Sequence, residues 1–135
     1  MTEAGYSGTP LSKKLCVRPG QATWRLAMPG PVAAEIDGGE PPQLLAEPVS
    51  GLQSAHLFVT ERAVLAAELA RLRPLLAARA MVWVSWPKMA AKVATDVTED
   101  VVRAVALPLG YVDVKVCAVD ATWSGLKLVI RVAER

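Results

Sequence analysis

The side chains of this 135-residue chain that could do chemistry gather in two stretches. In the first, Trp86-Pro87-Lys88 is followed by Thr95, Asp96 and Thr98; in the second, Asp120 is followed by Trp123 and Ser124. A lysine with two carboxylates could act as an acid–base set, and Lys88 beside Ser124 could act as base and nucleophile. Ser124, however, follows a tryptophan in an expected hairpin turn, where serine is ordinary. His56 is the single histidine and opens a buried strand, which reads as a satisfied core residue. With no second histidine for a triad and no cysteine–histidine cluster for zinc, neither chemistry is expected. The expectation is no metal, no cofactor and no catalytic residue.

The elements that must position these residues follow from pattern. Ala80–Trp86 is apolar without alternation, as in a strand covered on both faces. A helix then starts at Thr98, a good N-cap, with Glu99 and Asp100 at its positive end and Val97 and Val102 spaced as a hydrophobic staple. Pro108 and Gly110 end it. Ser54–Thr60 is a second strand without alternation. Thr60 caps a helix from Glu61 in which Val64, Leu65, Leu69 and Leu72 recur at helical spacing until Pro74. Upstream, Thr9 caps a short helix over Leu11–Cys16 with Pro10 in its first position. In Gln21–Met28, Ala22, Trp24, Leu26 and Met28 alternate with Gln21, Thr23 and Arg25, a half-exposed strand. Val32–Ile36 is a helical turn or two and Gln43–Glu47 a short strand. Val112–Val119 and Leu126–Val132 form a hairpin joined by Asp120–Gly125.

Strands alternating with helices predict an α/β fold. It is a doubly wound, mostly parallel six-stranded sheet in the order 2-1-3-4-6-5, with a C-terminal antiparallel hairpin. Residues 1–135 make a single domain, with 1–8 a flexible arm. One tension stands in this layout: the first strand is central, yet Thr23 and Arg25 make one of its faces polar.

In such a sheet ligands bind beyond the carboxyl ends of the strands. By connectivity that rim carries Met28–Pro31, Glu47, Thr60, Trp86-Pro87-Lys88, Thr98, the link Asp120–Gly125 and, through the first helix, Tyr6–Thr9. The candidate ligand-binding set is therefore Tyr6, Trp86, Lys88, Thr95, Asp96, Thr98, Asp120, Trp123 and Ser124. Two aromatic walls with a few polar groups suit a small anionic or aromatic ligand, and a cavity between Trp86 and Trp123 is the feature to look for. Lys88 is expected to pair with Asp96, Glu99 or Asp100.

Composition limits the partners. The net charge is +2 and the lysines and arginines are scattered, so no nucleic-acid-binding stripe is expected. No apolar run reaches the ~20 residues of a membrane helix, and the first residues lack a signal-peptide pattern. Cys16 and Cys117 then read as free thiols of a cytoplasmic protein. An apolar content of 53% and a terminal hairpin edge leave a structural homodimer as an alternative.

The layout resembles a trimmed class I methyltransferase fold, which also ends in an antiparallel hairpin, and the turn Val17-Arg18-Pro19-Gly20 before the first strand is similar as well. That resemblance implies S-adenosylmethionine held by a glycine-rich turn after the first strand and an acidic residue after the second. Here the turn is Ala27-Met28-Pro29-Gly30-Pro31, with one glycine and two prolines that lack N–H donors, and Glu47 stands where the acid would. Over nearly the whole chain the sequence resembles an uncharacterised bacterial family, domain of unknown function 3052. The likeness lies in Gly5-Tyr6-Ser7-Gly8-Thr9-Pro10-Leu11 with Lys13-Lys14-Leu15, in Trp86-Pro87-Lys88, and in Ala94-Thr95-Asp96 with Thr98-Glu99-Asp100-Val101-Val102-Arg103. It continues in Lys115-Val116-Cys117-Ala118-Val119-Asp120 and Thr122-Trp123-Ser124-Gly125-Leu126. The family implies no particular activity. The expected function is a non-catalytic module binding a small ligand or partner at the rim. The alternatives are a small enzyme of degenerate methyltransferase-like type using Lys88, Asp96 and Asp120, and the homodimer.

Overall fold

The structure, a computed structural model, describes residues 9–135. Tyr6 and the arm that carries it lie outside the described residues. Six strands, β1 (Ala22–Leu26), β2 (Gln43–Leu44), β3 (Leu52–Phe58), β4 (Leu76–Pro87), β5 (Tyr111–Ala118) and β6 (Trp123–Ile130), form one sheet. Their order is β2-β1-β3-β4-β6-β5, as the pattern of elements predicts. The first four are parallel and β6 runs antiparallel to both β4 and β5. The order follows from short connections: each helix returns the chain to start the next parallel strand, and the four-residue link after β5 can only turn back.

Helices cover both faces. Helices α3 (Arg62–Leu72) and α4 (Glu99–Ala106) bring Leu65, Leu69, Leu72, Val102 and Val105 onto Leu57, Val84, Leu126 and Leu128, a dry aliphatic core. Tyr111 is buried in the same layer and its hydroxyl donates to the Leu69 carbonyl at 2.7 Å. On the other face, α1 (Leu11–Lys14) and α2 (Gly30–Asp37) bring Leu11, Leu15, Val32 and Ile36 onto Phe58, Met81 and Trp83.

The tension over β1 resolves on that second face. Arg25 donates two hydrogen bonds, at 2.8 and 2.9 Å, to the carboxylate of Asp37 at the end of α2. Only 11% of the Arg25 side chain is exposed. The Arg25 bond holds the Asp37 carboxyl below its ordinary range, against the opposing effect of burial. Thr23 is buried and donates from its hydroxyl to the Gln21 carbonyl. The polar face of β1 is therefore covered, not solvated, and the half-exposed reading is corrected: α2 supplies a charged partner in place of water.

Other boundaries differ for local reasons. α1 ends at Lys14, because Cys16 takes a positive φ of +59° that no continuing helix allows. The flanking residue at its start is Pro10, and no side chain caps it, which corrects the expected Thr9 cap. α3 starts one residue late, with Glu61 and not Thr60 in the flanking position. β6 begins at Trp123, so Trp123, Ser124 and Gly125 are strand residues and the link is Val119–Thr122. Among the described residues no helix is long and apolar enough to cross a membrane, and both cysteines are free. At the outer edge, β5 exposes Val114 and Val116 with Lys115 between them, a charge that discourages edge-to-edge pairing.

Candidate functional site

Strand β4 delivers Trp86 and Pro87 to the carboxyl rim and stops there. Proline has no N–H to extend the ladder, and Lys88 leaves the sheet with its own N–H donated to the Thr122 carbonyl at 2.7 Å. Residues 89–98 then arch over the end of the sheet before α4 begins. Met89–Ala91 form a single 3-10 turn closed by Lys92 at φ +55°, which reverses the chain.

The far side of the arch is pinned to the β3–α3 junction. Thr95 donates from its hydroxyl to the Thr60 carbonyl at 2.7 Å and accepts from the Val97 N–H at 3.0 Å. The Asp96 N–H reaches the same carbonyl, and its carboxylate accepts from the Arg62 N–H at 2.6 Å. Asp96 thus caps α3 from another segment of the chain, placing negative charge at its positive end. Thr98 accepts from the Val101 N–H at 3.3 Å, and Val97 and Val102 are both buried beneath, so α4 is capped and stapled as its sequence requires.

Between the arch and the sheet lies a cavity of about 310 Å³, lined chiefly by Trp86, Lys88, Met89, Val93, Val97 and Thr98. Its inner wall is the buried indole of Trp86. At its mouth the apolar Met89 is 92% exposed and Val93 43%. The Lys88 side chain is half-buried. Among the described residues no carboxylate lies within ion-pair distance of it, which corrects the expected bridge. Arg103 explains why: four and three residues along α4 from them, it takes Glu99 at 2.6 Å and Asp100 at 3.5 Å, while Asp96 is engaged as a cap.

The sequence-derived set divides accordingly. Trp86, Lys88, Thr95 and Thr98 come together around the cavity, with Asp96 in the same arch. Trp123 does not join them. It pairs in register with Pro87, one residue past Trp86, so its side chain projects from the opposite face and packs edge-on against Phe58, with centroids 5.0 Å apart. A two-residue period thus parts the two tryptophans. Ser124 pairs with Trp86 in β6, and Asp120 accepts from the N–H groups of Thr122 and Trp123, both at 2.8 Å, tightening the hairpin link. Met89, Val93 and Val97 are lining residues absent from the sequence-derived set. Their signal was present: three apolar side chains in a stretch with neither strand nor helix period.

His56 lies inside β3, fifth of its seven residues, and does not open the strand. It is 5% exposed, its Nε2 lies 2.7 Å from the Ser85 hydroxyl, and its ring stacks on Phe58. Burial, aided by the charge of Arg25, lowers its pKa to about 3, so it stays neutral. Neither partner of this pair reaches the cavity. Among the described residues no group of acidic, histidine and cysteine side chains could hold a metal ion.

The turn after β1 has its own geometry. Ala27 holds a positive φ of +56°, Pro29 flanks α2, Met28 packs into the α1–α2 core, and a Cβ placed on Gly30 would meet nothing within 4 Å. Glu47 is exposed in the segment after the two-residue β2.

No protein-family model matches the sequence, and neither does any curated protein. Solved structures do share the architecture. Fibrillarin from Aeropyrum pernix, in complex with natively bound S-adenosyl-L-methionine, superposes with a TM-score of 0.60 at 13% identity, over 93% of this chain and 70% of that one. Magnesium protoporphyrin IX methyltransferase from Synechocystis with bound SAH gives 0.58 at 10% identity, over 90% and 79%. A ribosomal protein L11 methylase from Lactobacillus delbrueckii gives 0.57 at 10%, over 90% and 75%. At such identities the likeness concerns the backbone alone, and the chain has a methyltransferase-like α/β fold.

Proposed function

We propose that this chain is a non-catalytic binding module that holds a small anion with an aromatic or acyl body between Trp86 and the 88–98 arch. One observation carries the reading: Lys88, with no carboxylate partner among the described residues, lines a cavity that has an indole wall and exposed apolar side chains. Aromatic and aliphatic walls supply burial, and Lys88 fixes the orientation of the charged end. The absence of catalysis is supported by the roles already taken. Asp96 and Asp120 are committed to backbone N–H groups, and His56 is sealed in the core. Membership of the domain-of-unknown-function family that the motifs resemble is part of the same proposal.

The cofactor of the structural neighbours does not fit the corresponding place. Gly30 has open space around it, so the turn lacks the close glycine cradle of that mode, and Pro29 and Pro31 remove two of its five N–H donors.

Tryptophan fluorescence tests the reading, with anilinonaphthalene sulfonate as an aromatic anion and a panel of nucleotides, aromatic carboxylates and acyl-coenzyme A esters. Saturable quenching is expected from at least one anion with an apolar body, weakened roughly tenfold or more in Lys88→Ala, the loss of one charge-assisted contact. Silence across the panel, or equal affinity in Lys88→Ala, refutes it.

A further inference from the structure

At the opposite, amino edge of the sheet lies a smaller cavity of about 130 Å³, lined by Arg18, Gln21, Gln53, Ala77, Arg79 and Ala80. It is built by convergence: Arg18 and Gln21 come from the turn before β1, Gln53 from the start of β3, and the other three from the start of β4. Five other arginines have carboxylate partners. Arg25 holds Asp37, Arg71 holds Glu68, Arg73 and Arg131 share Glu134, and Arg103 holds Glu99 and Asp113. Arg18 and Arg79 have no carboxylate within ion-pair distance among the described residues, and both converge on this one cavity.

The two glutamines add polar groups of defined state. The Gln53 carbonyl oxygen accepts from the Ala22 N–H at 2.8 Å, which orients the amide and leaves its NH2 as a donor. The Gln21 side-chain oxygen is buried and has no hydrogen-bond partner, the only such buried side-chain atom among the described residues.

We infer that this cavity is a phosphate-binding site, for inorganic phosphate or the phosphate group of a small monoester. Two guanidiniums and an amide NH2 offer more donors than a carboxylate's two oxygens can take, whereas a tetrahedral oxyanion presents oxygens to all three. The site is distinct from the rim, where an apolar wall dominates and a single lysine supplies the charge.

The test is titration of the whole chain with inorganic phosphate, followed by the backbone amide resonances of Ala22, Gln53 and Ala80 and by calorimetry. Saturable shifts at these amides are expected, with phosphate affinity reduced roughly tenfold or more in Arg18→Gln/Arg79→Gln. Both side chains are on the surface, so the variant is expected to fold, which its circular dichroism checks. Lys88→Ala should leave the phosphate response unchanged, which separates this site from the rim reading. A methyl phosphate arm distinguishes the sources: similar affinity points to a monoester, and at least tenfold weaker binding points to the free ion. No saturable shift up to about 10 mM phosphate, or equal affinity in the double variant, overturns the inference.

Discussion

The two faces of the sheet are buried alike, but one is almost wholly apolar and the other mixes apolar packing with buried polar side chains. Under α3 and α4, aliphatic side chains such as Leu57, Val84 and Leu128 meet Leu65, Leu69 and Val102. Under α1 and α2, the same strands present Arg25, His56 and Ser85 beside Phe58, Met81 and Trp83. Even an indole contributes a bond there: Trp83 Nε1 donates to the Leu15 carbonyl at 2.8 Å, anchoring the C-terminal end of α1. The dry face holds by area removed from water, which has no direction. The polar face adds to its apolar packing bonds with one geometry, each of which leaves a costly orphan when broken. That difference explains how a helix as short as α1 stays in place.

The contrast can be broken from either side. Leu57→Ala on the dry face should cost about 3 kcal/mol in chemical denaturation, since it opens a cavity among fixed neighbours. A cost under about 1 kcal/mol would show that this face collapses around the gap and is not close-packed. On the polar face, acid is the lever. His56 is held neutral in the folded chain with a pKa near 3 against an ordinary 6.5, so its contribution is complete above 6.5 and is lost as pH falls towards 3. Between pH 6.5 and 4 the folded-to-unfolded ratio should drop by up to roughly tenfold per pH unit. His56→Gln should flatten that slope, and a slope that survives the substitution refutes the assignment. Asp37, whose pKa is lowered, loses its contribution only as pH falls below its ordinary 3.8, so the window isolates His56.

Ser85→Ala should cost about 1–2 kcal/mol by leaving the His56 nitrogen without its partner, less than the cavity on the dry face. A neutral result would mean that the His56–Ser85 contact fixes nothing. The smallest effect expected is a gain. Cys16→Gly relieves a side chain held at φ +59° and should stabilise by about 0.5 kcal/mol, read as a raised denaturation midpoint. A loss would show that the Lys127 Nζ–Cys16 Sγ contact at 3.6 Å outweighs the strain.

The strand order was legible because connection length and apolar runs depend on local sequence. The α4 cap was legible for the same reason, since Thr98, Glu99 and the Val97–Val102 pair lie within one turn. The cap on α3 was not, because Asp96 is 34 residues from Arg62 and sequence spacing carries no sign of the contact. At the site, proximity to the carboxyl rim was legible for Trp86 and Lys88, and face was not legible for Trp123. A shift of its strand start from Leu126 to Trp123 sets which side of the sheet it leaves. Gly125 shows the same limit. It looked like a turn glycine, yet it sits in β6, where a Cβ would come within 3.1 Å of Val119 and 3.3 Å of the Trp83 ring.

What the sequence by itself determined is the set of elements and their connectivity, because hydrophobic period, caps and short links act over a few residues. Tertiary structure decided the pairings: Arg25 with Asp37, His56 with Ser85, Asp96 with the start of α3, and the convergence of Arg18 with Arg79. It decided as well that Arg103 and not Lys88 takes the acids of α4, leaving an ammonium beside Trp86. The physical reason is that charges and hydrogen bonds answer to distances of a few ångströms in space, and only folding brings residues remote in the chain that close.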